Sequence, residues 1–171
     1  MSLPSVEEHK EAPVLPFDRY PGEGRQRLGL RRGANARREY GLLLRRRTGE
    51  TTCAYCGLDL FSTYERWLML QVDHVVPLGV AKSLGVPLDL YDDMFNLVLA
   101  CAGCNGFDNR YRYRVDLPPR ATWTVEEFVV LRDTVFSERY GRIEARRADE
   151  QAFFDKLPEM LGGPAPALGG D

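Results

Sequence analysis

A chain of 171 residues, 44% hydrophobic and 28% charged, has the size of one domain with a real core and room for extra segments. It contains no apolar run of membrane-spanning length and no N-terminal signal-peptide order, so a soluble, cytoplasmic protein with no membrane partner is expected. The net charge of −2 gives no overall basic field, but charge is unevenly spread along the chain.

Residues 1–33 are rich in Pro, Gly and charge and read as an extended basic arm. Nine arginines lie between Arg25 and Arg47, against the single acid Glu39. From Asn35, a plausible cap, the recurrence of Ala36, Tyr40, Leu43 and Leu44 predicts a helix that Thr48-Gly49 stops. Its arginines leave a basic face, and "RYRYR" at 110–114 forms a second basic patch. Arg37, Arg38, Arg45, Arg46, Arg110 and Arg112 are the candidate nucleic-acid contacts, since phosphate binding follows the local field. A solvated helix face is the plain alternative.

Cys53-Cys56 and Cys101-Cys104 are the four cysteines, in two CxxC pairs. Reduced cytosolic thiols at this spacing predict a four-thiolate structural zinc site, closed to chemistry because no coordination position stays open. The intervening 44 residues exceed the gap of a simple zinc ribbon, so the metal would tie two distant segments together. Between the pairs, "YERWLMLQVDHVVP" reads as a strand ending near Pro77, and residues 79–95 as a loop with one helical turn. "NLVLA" reads as a buried strand running into Cys101, and "AGCNGFDNRYR" as a short helix.

Thr124 to Glu127 forms a capping-box signature ahead of Phe128, Leu131, Val135 and Phe136 at helical spacing. A second helical stretch, about residues 142–157, closes at Pro158, and "GGPAPALGGD" reads as a disordered tail. These helices are expected to pack as support without chemistry. The organisation is thus an arm (1–33), a central domain (34–120, core 53–109), C-terminal helices (121–158) and a tail (159–171).

The run "VDHVVPL" followed by "NLVLACAGCN", bracketed by the cysteine pairs, resembles the HNH endonuclease family in its four-cysteine zinc variant. The resemblance covers Cys53 to Asn109. It implies an α+β fold built on a small ββα-metal core stapled by zinc, with flanking helices. It also implies hydrolysis of DNA phosphodiester bonds, leaving 5′-phosphate and 3′-hydroxyl ends. By the same resemblance His74 is the general base, and Asn96 steadies the loop that bears it. Asp73 and Asn105 hold one catalytic divalent cation. The family's basic residue three positions beyond Asn105 is Asp108 here.

Residue chemistry is compatible with those roles. Imidazole has an unperturbed pKa of about 6.5, suited to taking a proton from water near neutral pH. A carboxylate and an amide carbonyl are oxygen ligands, which favour Mg²⁺ or Mn²⁺. Asp73 and His74 are neighbours, however, and a regular strand sends neighbours to opposite faces, so a twist or bend is expected there. The alternative reading is a zinc-stapled nucleic-acid-binding module that cleaves nothing. The motif specifies neither the DNA target nor the oligomeric state.

Overall fold

A computed structural model describes residues 36–108, 111 and 122–162. The expected arm, Asn35, and residues 163–171 of the expected tail lie outside the described residues. The described chain is a mixed α/β protein with a two-stranded antiparallel sheet, several helices and a four-cysteine cluster. Among the described residues, no helix is long and apolar enough to cross a membrane.

The basic segment begins as a π-helical turn, Ala36–Tyr40, and continues as helix α1, Gly41–Thr48. Gly49 ends it in the left-handed region at φ 74°, where a side chain would be strained, and its N–H bonds Arg45 O at 2.9 Å. Leu44 is buried, with Tyr40 and Leu43 against the same core.

The segment read as one long strand divides in two. Tyr64–Leu68 is a short helix, α2, because the Thr63 hydroxyl accepts the Arg66 N–H and starts a helical turn. Strand β1 covers only Leu70–His74. It pairs antiparallel with β2, Leu97–Cys101, in a register running from Leu70 opposite Cys101 to His74 opposite Leu97. All five β2 residues are buried, as its unbroken apolar run predicts.

The expected loop between the strands holds more structure than one turn. Helices α3, Leu78–Ser83, and α4, Leu88–Tyr91, each start directly after a proline, Pro77 or Pro87. A 3₁₀ turn, Met94–Asn96, leads into β2. Val80, Ala81, Leu84, Val86, Leu90 and Tyr91 are buried with Phe128, Leu131 and Val135 in one apolar cluster. A second cluster surrounds the cysteines and the sheet. Val75 belongs to the sheet cluster and Val76 to the other, so the backbone just after His74 is anchored on both sides.

After β2 comes the short helix α5, Ala102–Phe107, packed against both strands. The two expected C-terminal helical stretches are one continuous helix, α6, Val125–Met160. Gly141 alone, at about 1 kcal/mol relative to alanine, does not divide a helix this well anchored. Pro158 lies in the last turn and removes one N–H near an end that frays anyway, so the helix runs two residues past it. Thr124 and Glu127 form the expected capping box, with bonds of 3.2 and 3.0 Å. Phe128, Leu131, Val135 and Ile143 bury one stripe of the first half, whereas residues 144–156 are exposed.

Candidate functional site

The cysteine cluster comes from two loops that the fold brings together. Cys53 N–H bonds Leu58 O, and Gly57 N–H bonds Cys53 O, closing a tight knuckle. Gly57 sits at φ 73°, a conformation that its lack of a side chain allows without cost. Ala54 N–H then bonds Leu99 O at 2.8 Å, which docks the knuckle on β2. The second pair straddles the start of α5, where the Cys101 sulfur accepts the Cys104 N–H as the helix cap.

The four sulfurs all lie within 4.8 Å of one another, and Cys56 Sγ is 3.8 Å from Cys101 Sγ. A tetrahedron of thiolates at about 2.3 Å from zinc has edges of about 3.8 Å. The cluster can therefore hold a metal such as zinc with little rearrangement. Without an ion the four groups cannot all ionise. Donation from the Cys104 and Cys53 thiols brings Cys101 down to about 2, and Cys53 is pushed up to about 12, chiefly by its bond to Cys101. A cation removes this conflict by stabilising every thiolate together.

Tyr55, between the first two cysteines, carries the knuckle to Asp73. Its hydroxyl donates to Asp73 Oδ2 at 2.6 Å, and its ring stacks on Phe136 at 5.5 Å. Burial, with the Asp73 charge adding to it, holds the Tyr55 hydroxyl well above its usual range, so it remains a donor.

Arg139 reaches the same oxygen from α6, with Nη2 at 2.8 Å from Asp73 Oδ2. Its Nη1 donates to His74 O at 2.8 Å and to Val75 O at 2.9 Å. Its guanidinium lies over the rings of Tyr55 and Tyr111, at 5.6 and 5.9 Å. The side chain is 1% exposed, and burial acts to lower its pKa. The negative charges of Asp73 and Asp108, with Tyr55, outweigh burial and raise it, so Arg139 stays charged.

Asp108 lies on the other side of Arg139, 3.6 Å from Nε, with Arg142 at 3.3 Å. The Nε and Asp108 Oδ2 atoms are buried without a hydrogen-bond partner, so this is an ion pair without a hydrogen bond. Burial raises the Asp108 carboxyl above its ordinary value of 3.8 despite Arg142 and Arg139.

His74 closes β1. Its Nε2 is 3.0 Å from Asp92 Oδ1, and the side chains are 26% and 8% exposed respectively. Asp92 is the C-cap of α4, and its N–H bonds Leu88 O. Behind His74, Asn96 is fully buried and uses both ends of its amide. Oδ1 accepts the Val76 N–H at 2.9 Å, while Nδ2 donates to Val76 O and Tyr91 O at 3.2 and 2.6 Å. Its backbone carbonyl also accepts the Val75 N–H at 2.8 Å. Asn96 thus fixes both the segment after His74 and the end of α4 that presents Asp92.

The ladder is regular through Asp73 and His74, and the bend follows at Val75-Val76. The expected distortion therefore comes after the pair rather than between its members. The two side chains accordingly meet different partners, Tyr55 and Arg139 for Asp73, Asp92 for His74. Asn105 is half-buried on α5, the helix that packs against β1.

Sequence reasoning missed Tyr55, Asp92 and Arg139, and assigned α6 to support alone. A usable signal existed for Arg139. It and Arg132 interrupt the Phe128–Leu131–Val135–Ile143 stripe at positions that point inward, and both are buried.

Of the candidate arginines, Arg37 lies over Trp67 at 5.7 Å and donates to Leu68 O at 2.8 Å. Arg45 covers Phe61 at 4.6 Å. Both therefore help hold α1 and its leading turn against the rest of the chain. Arg38 and Arg46 are exposed, while Arg110 and Arg112 lie outside the described residues. No family model, no curated protein and no solved structure matches this chain.

Proposed function

We propose that the protein is a metal-dependent endonuclease of HNH type that hydrolyses DNA phosphodiester bonds, its strand–loop–strand–helix unit serving as the ββα-metal core. One observation carries this reading: a part-exposed imidazole at a strand end, held by a carboxylate on one ring nitrogen and by a buried asparagine behind its backbone. A histidine that served only to fill the core would not need this support.

In this reading the free nitrogen of His74 takes a proton from water, and the resulting hydroxide oxygen attacks phosphorus in line. The phosphorus bond to the 3′ oxygen breaks and that oxygen takes a proton from solvent, giving a 5′-phosphate and a 3′-hydroxyl. A Mg²⁺ or Mn²⁺ ion held by Asp73 and Asn105 would supply charge neutralisation at the phosphate and the leaving oxygen. Tyr55 and Arg139 both contact Oδ2 of Asp73, so Oδ1 is the oxygen assigned to the cation. Zinc at the four cysteines is structural, and the exposed Arg38 and Arg46 supply sequence-independent phosphate contacts.

The test is conversion of supercoiled plasmid in Mg²⁺ or Mn²⁺, with and without EDTA. Metal-dependent nicking that His74→Ala reduces at least about 100-fold, with zinc content and melting temperature unchanged, supports the reading. Equal nicking by both proteins refutes it.

The second reading, a nucleic-acid-binding module without catalysis, is favoured by Arg139. Its positive charge at 2.8 Å already balances Asp73 and opposes a second cation there. Mn²⁺ titration of the zinc-loaded protein separates the two. Saturable binding lost in Asp73→Asn supports the nuclease, and DNA binding without Mn²⁺ binding supports the module.

A further inference from the structure

We propose that Asp92 is a positioning residue for His74, holding the imidazole in the Nε2–H tautomer with its ring fixed so that Nδ1 is the proton-accepting nitrogen. This rests on the nuclease reading and adds to it the choice of nitrogen and the residue that makes the choice.

The geometry is specific. A carboxylate oxygen 3.0 Å from Nε2 accepts a hydrogen bond only if Nε2 carries the proton. The neutral ring then keeps its one in-plane lone pair on Nδ1. The Asp92 side chain is 8% exposed, so little water competes for the bond, whereas His74 at 26% remains open to a reactant.

The support behind Asp92 is also built in. Its N–H is tied to Leu88 O at the end of α4, and the neighbouring Tyr91 carbonyl is held by the Asn96 amide at 2.6 Å. The same amide binds both backbone polar groups of Val76, two residues past His74. Asn96 therefore sets the distance between the segment that carries the carboxylate and the segment that follows the imidazole. A buried carboxylate on one imidazole nitrogen is a general means of fixing both the tautomer and the orientation of a histidine base.

Two readouts test this. The chain contains only two histidines, His9 and His74, so His9→Gln leaves one imidazole to observe. Long-range ¹H–¹⁵N correlation spectra of the zinc-loaded protein, without Mg²⁺, read the tautomer of the neutral ring directly. The expected wild-type result is a single Nε2–H form. In Asp92→Asn the amide can donate to Nε2, so the Nδ1–H form should appear, and Asp92→Leu should give a mixture.

The second readout is plasmid cleavage. Asp92→Asn should lower kcat by about 10- to 100-fold with KM within twofold of wild type, and Asp92→Glu should restore part of it. An Nδ1–H ring in the wild type overturns the proposal, as does an unchanged spectrum and kcat in Asp92→Leu. The tautomer is read without cleavage. A wild-type protein that shows the Nε2–H form but cuts no DNA therefore overturns the base assignment through the nuclease reading, and leaves the Asp92–His74 contact established.

Discussion

Arg139 joins several parts of the molecule. It binds Asp73, pairs with Asp108, lies over two tyrosine rings and donates to the backbone carbonyl of His74 itself. Removing one partner from a buried charge group costs far more than the group contributes in net stability, because the remaining charges stay desolvated. Arg139→Met should therefore destabilise the fold by about 3–5 kcal/mol, read as a lower urea midpoint. A loss below about 1 kcal/mol would mean that water replaces the guanidinium easily. Asp108 gives the opposite kind of prediction. Its native pKa is raised above 3.8 by burial, so over that window the folded state binds more protons than the unfolded chain. Stability from this group falls as pH rises through the window and returns as pH drops. Asp108→Asn should flatten that slope in urea midpoints measured against pH. A variant with the wild-type slope would show that Arg139 and Arg142 dominate instead.

At the scale of elements, local chemistry decided what could be read. β2 was legible because four successive apolar residues, Leu97 to Ala100, run straight into a cysteine pair. The start of α6 was legible because Thr124 and Glu127 satisfy each other's backbone donors. Thr124→Ala should cost about 1 kcal/mol through that cap alone, measured by thermal unfolding. A cost near zero would mean that water caps the helix as well. Helices α2, α3 and α4 were harder to see. They are four to six residues long, too short for a period to emerge, and their boundaries depend on Thr63, Pro77 and Pro87. Tyr55, Asp92 and Arg139 were illegible as a group for another reason. Each meets its partner across at least 18 positions in sequence, and no local pattern encodes a tertiary pairing. The cysteines stood out by their paired spacing and His74 as one of two histidines, beside a carboxylate, whereas Asn96 came from the resemblance of its run to the HNH motif.

Across the whole molecule, the cysteine cluster and the polar site form one mechanical unit. Tyr55 sits between two cysteines of the cluster and bonds Asp73, so disrupting the cluster should loosen the site as well as the knuckle. Cys53→Ser, or prolonged treatment with a strong chelator, should abolish stoichiometric zinc and broaden or lower the melting transition. Unchanged zinc content and melting in Cys53→Ser would refute the four-thiolate centre. Cys101 concentrates this dependence in a single atom. It is the last residue of β2, the cap of α5, and the sulfur 3.8 Å from Cys56. Replacing that sulfur would disturb a strand end, a helix cap and the cluster together. One atom is thus shared by the sheet, the short helix and the sulfur cluster, so damage there cannot stay local.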